Sequence, residues 1–299
     1  MAHTVTITGA TGNIGGRLAE QLLERGVRVR AVGRSEDRLA PLVAKGAEPR
    51  AGDLTDAGFL ADAFRDADAV FLMIPPHYTA VDFRVYQRSI VESFVEALRE
   101  TKVPRAVVLS SLGAELAEGT GPIAGLYELE ERLAEVPGLS LVVLRPAYFM
   151  ENFLSSIPTL KADGVHVGVV GGGVPIPLVA TRDIADVAAE YLADPSFAGH
   201  DVRELLGPRD VTIDEATSIL GAAVGRSDLS YVVLPEKQYR QGLIGVGLSE
   251  NVADEFIEMG HALDGRRIRS LAGRDERTAT PTTLEQFARE VFAPAYSAI

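Results

Sequence analysis

Three glycines at a regular spacing, Gly9-x-x-Gly12-x-x-Gly15, stand directly after a β-rich run, Thr4–Thr8, and at the head of a helical one. Ile14, Leu18 and Leu22 fall at i, i+4 and i+8, with Ala19 and Leu23 widening the stripe, so the spacing predicts an amphipathic helix. Gly26 is placed to stop that helix, and Val27–Val32 (VRVRAV) reads as the next strand. Strand, glycine turn, helix and strand together form the setting in which such a triplet holds a dinucleotide. Gly9 permits the tight turn. Gly12 lets the backbone approach a pyrophosphate, and Gly15 lets the helix pack on the strand. The helix N-terminus adds free N–H groups and a partial positive charge. The plainer alternative is a tight turn without a ligand.

The same rhythm continues. A helical stretch runs from about Asp37 to Lys45, and a short strand lies near Pro49–Gly52. Residues 57–65 read as helix and Ala69–Ile74 as an apolar strand. Residues 82–100 form a long amphipathic helix with Val91, Phe94, Val95 and Leu98 on one face. Ala106–Leu109 is a strand ending at Ser110-Ser111, 124–135 a helix and Leu139–Leu144 a strand. Strands that are apolar throughout, separated by helices, predict a parallel sheet covered on both faces. The expected fold class is therefore α/β, a Rossmann-type doubly wound sheet with its ligand site at the C-terminal strand ends. After Arg145-Pro146 the alternation is lost among many Gly and Pro. Asp183–Ala193 returns to helix. Thr212-Ile-Asp-Glu215 and Thr283-Leu-Glu-Gln286 read as capping boxes. The expected division is a nucleotide-binding domain over 1–146 plus about 179–195, with a smaller, mostly helical cleft region over 147–178 and 196–299.

Composition narrows the function. Lys and Arg number 29 against 42 Asp and Glu, a net charge of −13 that disfavours phosphate backbones as partners. No nucleic-acid partner is expected. The chain has no cysteine, which removes disulfides, thiolate catalysis and cysteine-based metal sites and fits a cytoplasmic protein. The five histidines, His3, His77, His166, His200 and His261, form no helical metal-binding pair, so no metal is expected. The apolar stretches at 70–76 and 169–180 are broken by Pro or Gly and too short to span a bilayer, so no membrane partner is expected. Association between copies is left open.

NAD-binding folds place an acid about 20 residues beyond the glycines to hold the ribose 2′-OH. Here Arg34 stands 19 residues past Gly15, with Arg38 one helical turn on. A guanidinium fork suits a 2′-phosphate, so NADP(H) is the expected cofactor. Glu36 and Asp37 argue the other way, and a solvated surface arginine is the plainer reading. Asp53 can accept from an adenine amino group while Leu54 packs on the ring; a helix N-cap for 57–65 is the alternative for Asp53. Met73, Ile74 and Pro75 end the fourth strand, where backbone should flank the adenosine ribose and pyrophosphate. His77 and Tyr78, just beyond, are placed to overhang the cofactor or to face solvent.

With these residues in place the sequence resembles the NmrA-like branch of the atypical short-chain dehydrogenase/reductases. The resemblance rests on TGATGNIGG (8–16), GRS (33–35), GDLTD (52–56), VFLMIPP (70–76), VVLSSLGA (107–114), LRPAYFMENF (144–153), VATRDIADVAAEYLADP (179–195) and LLGPRDVTIDEA (205–216). It covers nearly the whole chain. It implies a phosphate loop of Gly9, Thr11, Gly12, Asn13 and Ile14, with Arg34 as 2′-phosphate reader. Ser110 and Ser111 match the strand end facing the nicotinamide. Pro146, Ala147, Tyr148 and Phe149 match the segment lining the nicotinamide and opening the substrate cleft, with Asn152 and Phe153 farther along that wall.

Most catalytic members of the wider superfamily use Tyr-x-x-x-Lys for proton transfer. None of the eight tyrosines here has a lysine four residues on. Tyr127 is followed at that position by Glu131, which would raise a phenol pKa. Tyr127 is thus a weak proton-transfer candidate, with packing or substrate contact as the alternative, and the catalytic residue is unknown. Two readings follow: an NADPH-dependent oxidoreductase acting on a small quinone-like or conjugated carbonyl acceptor, or a non-catalytic NADP(H) sensor or regulatory protein. A stable oxyanion product needs no dedicated acid, and Tyr148, Phe149 and Phe153 suit a flat aromatic substrate. Core packing is the alternative for Phe153. Tyr239 and Phe256 are candidates for the far wall. The arginines at 266, 267, 269 and 274 read as a solvated loop or, alternatively, a site for an acidic substrate or partner.

Overall fold

The computed structural model describes residues 3–194 and 196–298. Residues 1, 2, 195 and 299, which bound segments of the expected domain division, lie outside the described residues. The first part alternates as the periodicity requires. Its elements are β1 (Thr4–Ile7), α1 (Asn13–Glu24), β2 (Arg28–Gly33), α2 (Glu36–Val43), β3 (Glu48–Ala51), α3 (Ala57–Phe64) and β4 (Ala69–Leu72). Then follow α4 (Phe83–Thr101), β5 (Arg105–Leu109), α5 (Ala124–Ala134) and β6 (Ser140–Pro146). The sequel comprises β7 (Tyr148–Phe149), α6 (Ile157–Asp163), β8 (Val165–Gly168), β9 (Pro175–Val179), α7 (Thr181–Ala193) and β10 (His200–Leu205). It ends with β11 (Asp210–Thr212), α8 (Ile213–Ala223), β12 (Ser230–Val233), α9 (Glu236–Gly245), α10 (Glu250–Asp264), α11 (Leu284–Phe287) and α12 (Ala293–Ala298).

Seven parallel strands run in the order β10-β6-β5-β4-β1-β2-β3. The strands are apolar throughout because each feeds two cores. Ala69 and Phe71 of β4 join the layer carrying α1, α2 and α7. Val70 and Leu72 join the layer carrying α3, α4 and α5. The threonines of β1 are tolerated there because they are bonded. The Thr6 hydroxyl donates to the Ala63 carbonyl at 2.9 Å, answering the desolvation that burial imposes. The strand order reverses between β1 and β4, and an open crevice is expected at such a switch point. Thr8 stitches it: its hydroxyl donates to Phe71 O at 3.0 Å and accepts from Met73 N at 3.0 Å.

The C-terminal region is largely helical, and it also carries short strands that the sequence reading does not predict. β7, β9 and β11 form one small sheet, and β8 pairs with β12 in another. Gly and Pro interrupt any alternation in 147–180, so periodicity has nothing to register there. β10 is the outer edge of the main sheet, and its polar sequence, HDVREL, fits an edge strand. Both expected caps form: Thr212 accepts from Glu215 N and Thr283 from Gln286 N, each at 3.1 Å. No helix among the described residues is long and apolar enough to cross a membrane.

The helix pair α9–α10 is fastened over the C-terminal strand ends. Ser249 N donates to Tyr78 O at 2.9 Å, and Phe83 N donates to Asn251 Oδ1 at 2.8 Å. Beside β5, Gly121 lies so close to α10 that a Cβ there would sit 2.0 Å from Glu255 O. The loops after β4 and β5 are therefore roofed by α10.

Candidate functional site

The three glycines are bare for different reasons. Gly9 has φ +66°, and a Cβ on it would lie 2.6 Å from Met73 Sδ. A Cβ on Gly15 would lie 2.4 Å from Gly9 O, so that glycine is set by helix–strand packing. Gly12 has φ −94° and its added Cβ would come no nearer than 3.4 Å to Gly9 O. The fold does not need Gly12 to be bare, so the open space above it is available to a ligand. Gly12 is also the N-cap of α1, supplies no side-chain cap, and is followed by no acid in the first turn. The leading N–H groups of α1 thus lack the usual partner. Gly12 and Asn13 are exposed, and Thr11 is half-buried. Ile14 is buried in the core and presents only its backbone to the turn.

The end of β2 abuts this turn: a Cβ on Gly33 would lie 3.2 Å from Thr11 Cγ2. Arg34 follows at once, exposed, and forms no ion pair among the described residues; the same is true of Arg38. Asp53 is exposed, and its Oδ1 accepts from Thr55 N and Oγ1 at 2.9 and 3.0 Å. The cap of α3 is Asp56, which accepts from Phe59 N at 3.0 Å, so the N-cap alternative for Asp53 is corrected. The physical reason is distance along the chain: Asp53 precedes the helix by a full turn of loop. Leu54 is buried in the α3–α5 core at 8% exposure, which leaves little of it for a ring.

Tyr86, on the first turn of α4, was not singled out from sequence. Burial raises its phenol pKa, with Arg34 opposing and Asp53 adding to the shift, which puts all three in one neighbourhood. Its hydroxyl donates to Pro75 O at 3.2 Å, and His77 packs edge-on against its ring at 4.8 Å. Met73, Ile74 and Pro75 are half-buried along this rim. An aromatic one turn after the Asp82 N-cap was the available signal.

At the other end, the strand-end serines diverge. Ser110 is buried and its hydroxyl donates to Glu130, which accepts from Arg145 Nε at 3.0 Å and Nη2 at 2.5 Å. Arg145 also reaches Glu115 at 3.3 Å. Ser110 is committed to this buried ionic network. Ser111 is half-buried and donates to Leu112 O at 2.9 Å. Tyr127 is half-buried on α5 and makes no hydrogen bond among the described residues.

Pro146 and Ala147 are buried; Tyr148 and Phe149 are half-buried; Asn152 is exposed. Phe153 is only 1% exposed, so it backs the wall from within the core. A file of edge-to-face rings runs from Tyr148 to Phe153 at 5.9 Å, on to His166 at 5.6 Å and to Tyr231 at 5.0 Å. Burial pushes the Tyr148 phenol pKa up, Tyr239 adds to the rise, and a hydrogen bond with Asn152 opposes it. Tyr239, on α9, thus lies near Tyr148, and burial raises its phenol as well. Phe256 instead tilts on Tyr78 at 6.2 Å. Burial holds His166 down to about 4. His166 and Tyr231 meet because β8 and β12 pair in register, which nothing local in either segment announces. Glu151, inside the family-like segment, is structural: it accepts from Thr181 N and Oγ1 at the start of α7.

The late arginines do not gather into a patch. Arg267 donates to Glu118 O at 3.1 Å, and Arg274 to Gly207 O at 2.7 Å and Asp210 at 2.5 Å.

A doubly wound sheet, a bare glycine turn at the switch point and an uncapped helix define a dinucleotide-binding protein. The profile of the NAD(P)H-binding family matches residues 9–195, and the chain belongs to that family. A relative from Streptomyces griseus, (4-alkanoyl-5-oxo-2,5-dihydrofuran-3-yl)methyl phosphate reductase, is 31% identical over 74% of this chain and 74% of its own. Quinone oxidoreductase 2 of Escherichia coli is 29% identical over 85% of this chain and 86% of its own. The crystal structure of the E. coli NADPH-dependent quinone oxidoreductase complexed with NADPH superposes with a TM-score of 0.76, covering 96% of this chain and 99% of that one at 26% identity. NmrA, described as a negative transcriptional regulator, shares the fold at 17% identity and a TM-score of 0.73, covering 99% of this chain and 97% of that one. The chain therefore belongs to a family of NAD(P)H-binding proteins that includes reductases, and it shares the fold of NmrA.

Proposed function

We propose that the protein is an NADPH-dependent reductase of small, flat, conjugated acceptors such as quinones. The observation that carries the cofactor preference is Arg34: an exposed guanidinium without a carboxylate partner, one residue beyond the strand end that touches the glycine turn. In this reading, residues 1–146 with about 179–195 form the nucleotide-binding unit, and 147–178 with 196–299 close the cleft. The turn of Gly9, Thr11, Gly12, Asn13 and Ile14 offers main-chain N–H groups to a pyrophosphate. Arg34, with Arg38 behind it, takes the 2′-phosphate. Asp53, Tyr86 and the Met73–Pro75 rim hold the adenosine end. Tyr148 and Phe149 lie against the nicotinamide end.

The bound nicotinamide supplies a hydride. The chain's part is to seat an acceptor against Tyr148, under Tyr239, and to keep water from the face where the hydride arrives. The phenols facing that space have raised pKa values and stay protonated, so they donate hydrogen bonds and do not act as bases. The runner-up, a sensor that binds NADP(H) without turnover, is favoured by one observation: no tyrosine has a lysine at +4.

Calorimetric titration with NADPH and NADH tests the cofactor reading; NADPH should bind at least about tenfold tighter. NADPH oxidation against quinones, enones and ketones then tests the acceptor. Tight binding with no turnover on any of them would leave the sensor.

A further inference from the structure

The aromatic wall carries a ring nitrogen with no other duty. Tyr231 donates its hydroxyl to Val170 O at 2.7 Å. Tyr148 is engaged with Asn152. His166 sits between the rings of Phe153 and Tyr231, and its Nδ1 contacts Thr217 Oγ1 at 3.4 Å. Thr217 is buried on α8 and has one hydroxyl proton, which its 2.9 Å contact directs to Ile213 O. The threonine oxygen can then only accept from the ring, so the hydrogen-bond network assigns the imidazole proton to Nδ1. Nε2 is left as a lone-pair acceptor and has no partner among the described residues. The ring is half-buried, and Nε2 is not among the fully buried atoms that lack a partner, so it remains open to a ligand.

An acceptor nitrogen set in a wall of ring edges has a definite preference. A flat aromatic ligand without a donor finds packing alone. A ligand that turns a hydroxyl or N–H to this nitrogen finds packing and a hydrogen bond, and one that turns only an oxygen lone pair to it finds repulsion there. We infer that His166 is a specificity-determining residue that accepts, at Nε2, a hydrogen bond from a hydroxyl or N–H group on an aromatic substrate seated against Tyr148. This rests on the reductase reading for the word substrate, but the recognition itself does not require turnover. Hydroxylated aromatic acceptors are selected over their O-alkylated counterparts, and a phenolic product is held by the same nitrogen.

The test uses two redox-inert ligands of like shape, 2-naphthol and 2-methoxynaphthalene, titrated calorimetrically into the full chain with and without NADP+. NADP+ binding, read in the same instrument, judges the cofactor reading separately. The wild type should bind the naphthol about 3- to 10-fold tighter, the worth of one neutral hydrogen bond. His166→Phe should bring that ratio to about 1 while leaving methoxynaphthalene affinity within about twofold. A ratio unchanged in His166→Phe overturns the inference, as does absence of naphthol binding to a wild type that binds NADP+. Should His166→Phe not fold, imidazole 15N NMR of the wild type decides the matter. A protonated Nδ1 with an Nε2 resonance that shifts on adding 2-naphthol supports the assignment; a protonated Nε2, or no shift, overturns it.

Discussion

The two ends of the cleft are built by different means. The proposed nucleotide end is local: Gly9 to Gly15 is one turn, and Arg34 follows the neighbouring strand directly. The proposed substrate end is assembled from Tyr148, His166, Tyr231 and Tyr239, which lie on β7, β8, β12 and α9. A local site can be read from residue spacing because the backbone geometry that makes it is specified within a few residues. An assembled site depends on which strands pair, and short strands broken by Gly and Pro give no advance notice of that.

Between the two ends lies the buried network of Ser110, Glu130, Arg145 and Glu115, and here the contrast can be broken hardest. Arg145 and Glu130 are both largely buried, with side-chain exposures of 14% and 10%. Arg145→Met strands the Glu130 carboxylate and should destabilise the protein by about 3–5 kcal/mol in chemical denaturation. Adding Glu130→Gln should recover much of that loss, because the stranded charge and not the missing bond is the main penalty. Ser110→Ala should likewise lower stability more than it changes NADPH affinity. An affinity loss without a stability loss would return Ser110 to the nucleotide end.

His166 gives the next largest effect. Its ordinary value of 6.5 falls to about 4 on folding. Between those values the unfolded chain takes a proton that the folded chain refuses, so stability falls as pH falls through this window. The loss amounts to about 3 kcal/mol once the pH is below 4. Unfolding free energies of wild type and His166→Phe, compared from pH 7 to pH 4, should shift in the variant's favour by that amount. Parallel curves would show that the ring is not desolvated.

Much of the fold was legible because it is repetitive physics: apolar runs for buried parallel strands, i/i+4 stripes for helices, Thr212 and Thr283 for caps. The nucleotide turn was legible for the same reason. Three failures have plain causes. Asp53 and Asp56 are both acids before one helix, and only the chain's path decides which of them caps it. Ser110 lies where a ligand-facing serine was expected, but its rotamer is set by Glu130, twenty residues away. His166 is one of five scattered histidines until β8 and β12 pair.

The nucleotide end can be sharpened within its own triplet. Gly15→Ala forces a Cβ to within 2.4 Å of Gly9 O and should destabilise the protein by about 1–3 kcal/mol. Gly12→Ala meets only a 3.4 Å contact and should leave the melting temperature nearly unchanged while lowering NADPH affinity at least about tenfold. Equal thermal losses in the two variants would mean that Gly12 serves packing after all, and the space above it would lose its meaning.

The smallest effect falls on an exposed residue. Arg34 is exposed and makes no hydrogen bond or ion pair among the described residues, so Arg34→Ala should leave the unfolding transition where it is. A charge-assisted contact made in partial solvent is worth about 1.4 kcal/mol, so NADPH affinity should fall about tenfold. NADH lacks the 2′-phosphate, so its affinity should hold, and the ratio of the two dissociation constants should approach 1. The salt dependence separates this from a general loss of positive potential. Raising ionic strength should weaken NADPH binding to the wild type more than to the variant, because only the wild type has the guanidinium whose attraction salt screens. If both cofactors weaken equally in Arg34→Ala, the arginine shapes the adenosine end as a whole and does not choose between its two forms.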